Sequence, residues 1–173
     1  DITLATGEKM GTFDAFLKEY IKDTGIKLMI HVKDHSTQQR TIECVDAIIS
    51  KLRANNILDK AEWLMTNYAA SMHIIQECKD EVHDLIVDYS NDNVVRTFDQ
   101  LAADGMILNY NYKTVDNDLT CVKRAHDAGI QMVVWTIDTE DLMLKYMALG
   151  VDYLNTDRPD LLIELKKKTF VEK

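Results

Sequence analysis

The residues able to do chemistry stand in pairs at the ends of short apolar runs: His31 and Lys33, Thr66 and Asn67, Asp88 and Tyr89, Asn109 and Asn111, Trp135 and Thr136, Asn155 and Thr156. If the apolar runs are β-strands, alternation puts His31 and Lys33 on one face. A lysine there can meet an anionic group or be held by a strand-end carboxylate. Asn109 and Asn111 can hydrogen-bond ligand hydroxyls, and they can equally cap loops; Asn67 is similar. His31 and His35 have the spacing of a helical metal pair, but the chain is leaving a strand here, so that geometry fails. Trp135, ending an apolar strand, reads on its own as a core residue. Asp80, Glu81, Asp84 and Asp88 read as a solvated charge cluster rather than a paired-carboxylate site. His73, His83 and His126 lie on or beside helices and read as surface or packing residues.

Positioning these groups falls to an alternating pattern of strands and helices. Six strands are predicted: Ile26 to Val32, Glu62 to Thr66, Asp84 to Tyr89, Met106 to Tyr110, Gln131 to Ile137 and Val151 to Asn155. Apolar residues at helical spacing follow each one. They are Ile42, Val45, Ile48, Ile49 and Leu52; Met72, Ile75 and Cys78; Val94, Val95, Phe98 and Leu101; Leu119, Val122 and Ala125; Leu142, Met143, Tyr146 and Met147; and Leu161, Leu162 and Leu165. A further helix precedes the first strand, with Thr12 as N-cap and Phe13, Phe16, Leu17 and Tyr20 on its apolar side. Gly25, Gly105, Gly129 and Gly150 each come just before a strand, where a left-handed residue stops a helix cheaply. The single proline, Pro159, suits the first position of the last helix.

Alternating strands and helices imply an α/β fold with a parallel sheet. An open doubly wound sheet and a (β/α)8 barrel compete. No glycine-rich phosphate loop of either nucleotide-binding kind occurs, and polar residues recur at strand ends, as a barrel mouth requires. The barrel is favoured. A full barrel takes about 250 residues and eight strands. A single domain spanning residues 1–173 therefore reads as an incomplete TM-type (β/α)8 barrel, about six of eight units, lacking the first two strands.

Composition narrows the partners. The 173 residues include 20 Lys and Arg against 29 Asp and Glu, a net charge of −9. That excess disfavours nucleic acid, whose phosphates need surplus basic groups. Lys166, Lys167 and Lys168 end a helix and suit its dipole. No run is long enough for a membrane span. No signal peptide is visible and no initiator Met is present, so Asp1 is not expected to be the natural start. Cys44, Cys78 and Cys121 are odd in number and dispersed, which argues against zinc or disulfides and for buried thiols in helices. This leans toward a reducing, cytoplasmic setting. An exported form would need a signal ahead of Asp1.

Residues 129–159 carry a family resemblance. Trp135, Thr136 and Asp138 fit W-T-x-[ND]; Gly150, Val151 and Asp152 fit G-V-D; Thr156, Asp157 and Pro159 fit T-D-x-P. This stretch resembles the end of the glycerophosphodiester phosphodiesterase family. Met10 to Leu17 is similar to the family's I-P-T-L-x-E-x-L lead into a helix, with Gly11 where proline is usual. Leu28 to Lys33 is similar to its I-E-I-K strand. The likeness covers most of the chain and is loosest over residues 38 to 128.

The resemblance implies a (β/α)8 barrel that hydrolyses a glycerol phosphodiester to glycerol phosphate and an alcohol. It implies a divalent metal, Mg or Ca, held by carboxylates, with two histidines as acid and base. It assigns Lys33 to the phosphate and Trp135 to the glycerol or head-group carbons; Asn109, from its type and position alone, is a further candidate for substrate hydroxyls. The family's H-R-G and E-x-D motifs have no counterpart here, so no catalytic residue is identified in this chain. His31 stands where the family has a metal-binding glutamate. An imidazole can ligate a metal, but it adds no negative charge and suits softer ions. Asp157 is expected to cap the last helix or accept a hydrogen bond there. The expected partner is a small-molecule phosphodiester. Two competing readings are an inactive barrel binding a phosphorylated ligand or a protein, and an unrelated metal-dependent hydrolase using His31 and His35. An incomplete barrel has two raw edges, so a homodimer by edge pairing or domain swapping is expected, unless the N-terminal helix covers them.

Overall fold

The computed structural model describes residues 2–23, 25–88 and 96–170. Helix α1 (Phe13–Tyr20) leads into strand β1 (Leu28–Val32), followed by α2 (Gln38–Ala54) and β2 (Ala61–Met65). Next come α3 (Tyr68–Glu77), β3 (Asp84–Val87), α4 (Phe98–Ala103), β4 (Met106–Asn111), α5 (Tyr112–Asn117) and α6 (Thr120–Asp127). The chain continues with β5 (Met132–Trp135), α7 (Glu140–Leu149), β6 (Tyr153–Leu154) and α8 (Pro159–Phe170). All six predicted strands are present, most of them shorter than expected. Tyr89, Val94 and Val95 lie outside the described residues.

The strands follow one another in the sheet in chain order, and every neighbouring pair is parallel. A doubly wound sheet reverses its order at a switch point so that helices cover both faces. Here the order never reverses. Right-handed crossovers then place successive helices on the same side, and twist curls the strands the other way. Packing shows the two sides. Ile30, Trp63, Met65, Leu85, Val87, Leu108, Met132 and Val134 join one large cluster with α2's Val45, Ile49 and Leu52 and α7's Met143 and Tyr146. The opposite face holds a separate cluster made of strand residues alone: Leu64, Ile86, Ile107 and Val133. The result is a curled partial barrel. Among the described residues β1 and β6 each pair with one strand only.

Local chemistry accounts for the helix boundaries. Thr12 Oγ1 accepts from Ala15 N at 3.2 Å, and Thr37 Oγ1 from Arg40 N at 3.2 Å. Thr97 and Gln100 form a reciprocal capping box on α4. Gly150 ends α7 in the left-handed region at φ 85°, and Gly105 and Gly129 are left-handed too. Gly25 is not, so its place before β1 is not a helix stop of that kind. Two expectations about packing fail. Phe16 is exposed, stacked between Phe13 and Tyr20 with centroids 6.5 Å apart, because α1 lies against the outer layer with only Leu17 and Tyr20 buried. Leu119 is exposed as the residue preceding α6. Cys78 and Cys121 are buried free thiols, and Cys44 is partly buried.

Candidate active site

Strand period two builds the inner face in three tiers. Met29, Glu62 and Asp84 stand in one register at the N-terminal end. There Lys27 pairs with Glu62 at 3.1 Å and with Asp84, and these bonds drive its pKa further up. Two residues further along each strand come His31, Leu64 and Ile86, in register, joined by Ile107 and Val133. Two residues beyond these are Lys33, Thr66 and Asp88, each just past the end of its strand, with Asn109 in β4 and Trp135 at the end of β5. This last tier, with His31, Asp34 and Asn155, lines a cavity of about 430 Å3 at the C-terminal ends of the strands. That volume suits a small ligand.

Lys33 and His31 are both exposed at the β1 side of the cavity. Desolvation, then the nearby Lys33 charge, lowers the His31 pKa, and the Asp88 carboxylate opposes them only in part. The imidazole is therefore uncharged near neutral pH. Asp34 Oδ1 accepts from Thr66 Oγ1 at 3.2 Å. Asp88 is buried, and its backbone N–H donates to Met65 O at 2.9 Å. Its Oδ2 accepts from Trp135 Nε1 at 3.0 Å and from Asn109 Nδ2 at 3.5 Å. The Trp135–Thr136 peptide is cis. Trp135 lines the cavity, where the family resemblance puts it.

Lys33, Trp135, Asn109 and His31, singled out from the sequence, all face this one cavity. His35 does not; its backbone N–H donates to Thr41 Oγ1 at 3.0 Å. Asn67 and Asn111 cap helices, accepting from Ala70 N at 3.0 Å and Lys113 N at 2.9 Å. Asp157 does not cap α8. Its N–H donates to Asp138 Oδ1 at 2.8 Å, and the Thr156 hydroxyl reaches the same oxygen at 3.1 Å. Asp138 is therefore the acceptor that ties this turn to the end of β5. His73 and His126 meet Asp46 at 2.6 Å and Asp152 at 2.9 Å, away from the cavity.

The acidic cluster read from the sequence does not exist as one patch. Glu81 pairs with Arg53, and Asp84 with Lys27 at the N-terminal end of β3. Asp88 alone reaches the cavity. Period two could have found it: Asp84, Ile86 and Asp88 share a face, and only Asp88 is at the C-terminal end.

A partial βα barrel with a polar cavity at its C-terminal rim is the enzyme-bearing arrangement of that fold. Residues 5–161 match the model of the glycerophosphoryl diester phosphodiesterase family. The chain belongs to that family. It is 26% identical over 161 residues to YhdW of Bacillus subtilis (strain 168), whose name gives glycerophosphodiester phosphodiesterase as a provisional assignment. That match covers 91% of this chain and 63% of the relative, so the chain spans less than two thirds of the relative's length. The crystal structure of a glycerophosphodiester phosphodiesterase from Parabacteroides distasonis ATCC 8503 superposes with a TM-score of 0.84 at 24% identity. It covers 98% of this chain and 69% of that one, which supports the barrel fold.

Members of the family typically depend on a divalent metal. The donors here do not by themselves fit one. Among the described residues no three His, Cys, Asp or Glu side chains gather to hold an ion. Hard cations such as Mg or Ca take six or more oxygens. At the family's glutamate position this chain offers an uncharged imidazole, and Asp88 is engaged with Trp135 and Asn109.

Proposed function

We propose that this chain forms the substrate-holding part of a glycerol phosphodiester hydrolase, whose intact barrel releases glycerol phosphate and an alcohol. Lys33 contributes a positive charge for the phosphoryl oxygens. Trp135 offers an apolar face to the glycerol or head-group carbons, and Asn109 stiffens the wall beside it. The acid–base histidines and the remaining metal ligands belong, in this reading, to two further βα units that precede β1. The observation that carries the reading is the convergence on one cavity of Lys33, just past the end of β1, Asn109 in β4 and Trp135 at the end of β5. The inactive-barrel alternative gains no support from the relatives, which are named as phosphodiesterases. Calorimetric titration with sn-glycerol 3-phosphate tests the proposal, with inorganic phosphate and glycerol as separate probes. Saturable binding tighter than either fragment is expected. Binding no tighter than that of glycerol would refute it.

A further inference from the structure

Asp88 is the least expected group in this cavity. It is 6% exposed and anionic by type, in a site read here as receiving an anion. Holding a carboxylate out of water is costly unless hydrogen bonds replace the lost hydration. The donors it meets include the Trp135 indole N–H at 3.0 Å and the Asn109 amide at 3.5 Å. Each matters for what the cavity can recognise. An indole has one polar atom, a donor, so one hydrogen bond to a fixed acceptor selects among its rotamers. Asp88 serves as that acceptor: its side chain is buried, and its backbone N–H is bonded to Met65 O at 2.9 Å. Asn109 is 3% exposed, and its Oδ1 has no partner. Its amide nitrogen thus faces the carboxylate at the long limit of a hydrogen bond.

We propose that Asp88 is a positioning residue that holds the Trp135 indole, braced by Asn109, against the alcohol part of a glycerol phosphate ester. The inference rests on the phosphodiester reading above. Asp88 acts through Trp135 and transfers no proton.

Two measurements on the full chain test it. The first is the ratio of affinities for sn-glycerol 3-phosphate and inorganic phosphate. Asp88→Ala is expected to cut that ratio roughly tenfold, the worth of one charge-assisted hydrogen bond. Asp88→Asn keeps an acceptor for the indole and should restore the ratio to within about threefold of wild type. In a Trp135→Phe background, Asp88→Ala should change the ratio no further. An unchanged ratio in Asp88→Ala, or an equal loss in the Trp135→Phe background, overturns the proposal. The second measurement needs no binding and no Asp88 variant. The Trp135 indole N–H signal, assigned by its loss in Trp135→Phe, is expected to be single and slow to exchange with solvent. A fast-exchanging signal in the wild type overturns the proposal. Wild-type protein that binds neither probe overturns the phosphodiester reading, and this inference with it. Normal binding with an unaffected Asp88→Ala ratio overturns only the part given to Asp88.

Discussion

Lys33→Ala removes the positive charge that faces the cavity from β1. Its worth follows from its surroundings. A charge-assisted hydrogen bond contributes about 1.5–3 kcal/mol, whereas a fully solvated ion pair contributes about 0.2–1 kcal/mol. Lys33 falls between these limits: it is exposed at the lip, but a ligand filling the 430 Å3 cavity would cover part of it. Asp34 and Asp88 share the cavity and take back some of the attraction. A loss of about 1.5 kcal/mol, or roughly tenfold in Kd, is expected for sn-glycerol 3-phosphate. The loss should shrink as salt rises, since screening shortens from about 10 Å at 0.1 M to about 3 Å at 1 M. Lys33→Arg should keep most of the affinity, and the weak binding of glycerol should not change. Titration calorimetry at two salt concentrations measures all of this. Unchanged affinity in Lys33→Ala, or an equal loss for phosphate ester and glycerol, would refute the placement of the phosphoryl group.

Three other outcomes are expected. The 173-residue chain alone should not turn over glycerophosphocholine; phosphorus NMR showing hydrolysis abolished by EDTA would overturn the assignment of the catalytic groups to other strands. Asp116 is held below the usual carboxylate range by Lys145, 2.6 Å away, and by the buried Tyr146 hydroxyl. Its folded pKa is depressed, so its stabilisation is present above the unfolded value near 4 and is lost as pH falls through the lower folded value. Asp116→Asn should cost roughly 1 kcal/mol at pH 7, a figure reduced for solvent screening, and the difference in thermal midpoint should close in acid. As a proposal, the outer edges of β1 and β6, each paired with one strand only among the described residues, pair between chains. Light scattering should then show a dimer, and a monomer with β1 fully protected from hydrogen exchange would count against it.

The parts of the fold visible in the sequence are those set by period and punctuation. Leu28, Ile30 and Val32 alternate with Met29 and His31, and the structure buries the first set against helices. The barrel is legible in the polar residues that recur at strand ends and in the lack of a glycine-rich phosphate loop, and the sequential strand order agrees with it. What stayed hidden depended on partners distant in the chain. Asp84 and Asp88 are the same residue type four positions apart, and only pairing shows that one meets Lys27 and the other meets Trp135, 47 residues away. Apolar neighbours alone make Trp135 read as core; the family resemblance places it at the ligand, and in the structure it lines the cavity. Asp138 stands out in the sequence only as a motif residue, and its part in holding Thr156 and Asp157 depends on a contact no local pattern encodes. Helix α5 escaped notice because its six residues bury only Val115.

Curvature is also what makes a single site out of these strands. Lys33 follows β1 and Trp135 ends β5, four strand positions away. In a flat sheet four spacings of about 4.8 Å would separate them by about 19 Å. Both line one cavity of about 430 Å3, and the roll of the sheet toward closure brings them together around it. The apolar tier of Leu64, Ile86, Ile107 and Val133 sits on the concave side and favours that roll by burying itself. Ile86 does not itself line the cavity, so placing a charge there, as in Ile86→Asp, should weaken ligand binding by letting the rim spread. Loss of affinity for sn-glycerol 3-phosphate in a variant that still melts cooperatively is the expected result. Full affinity in such a variant would show that the rim holds its shape without the tier beneath it.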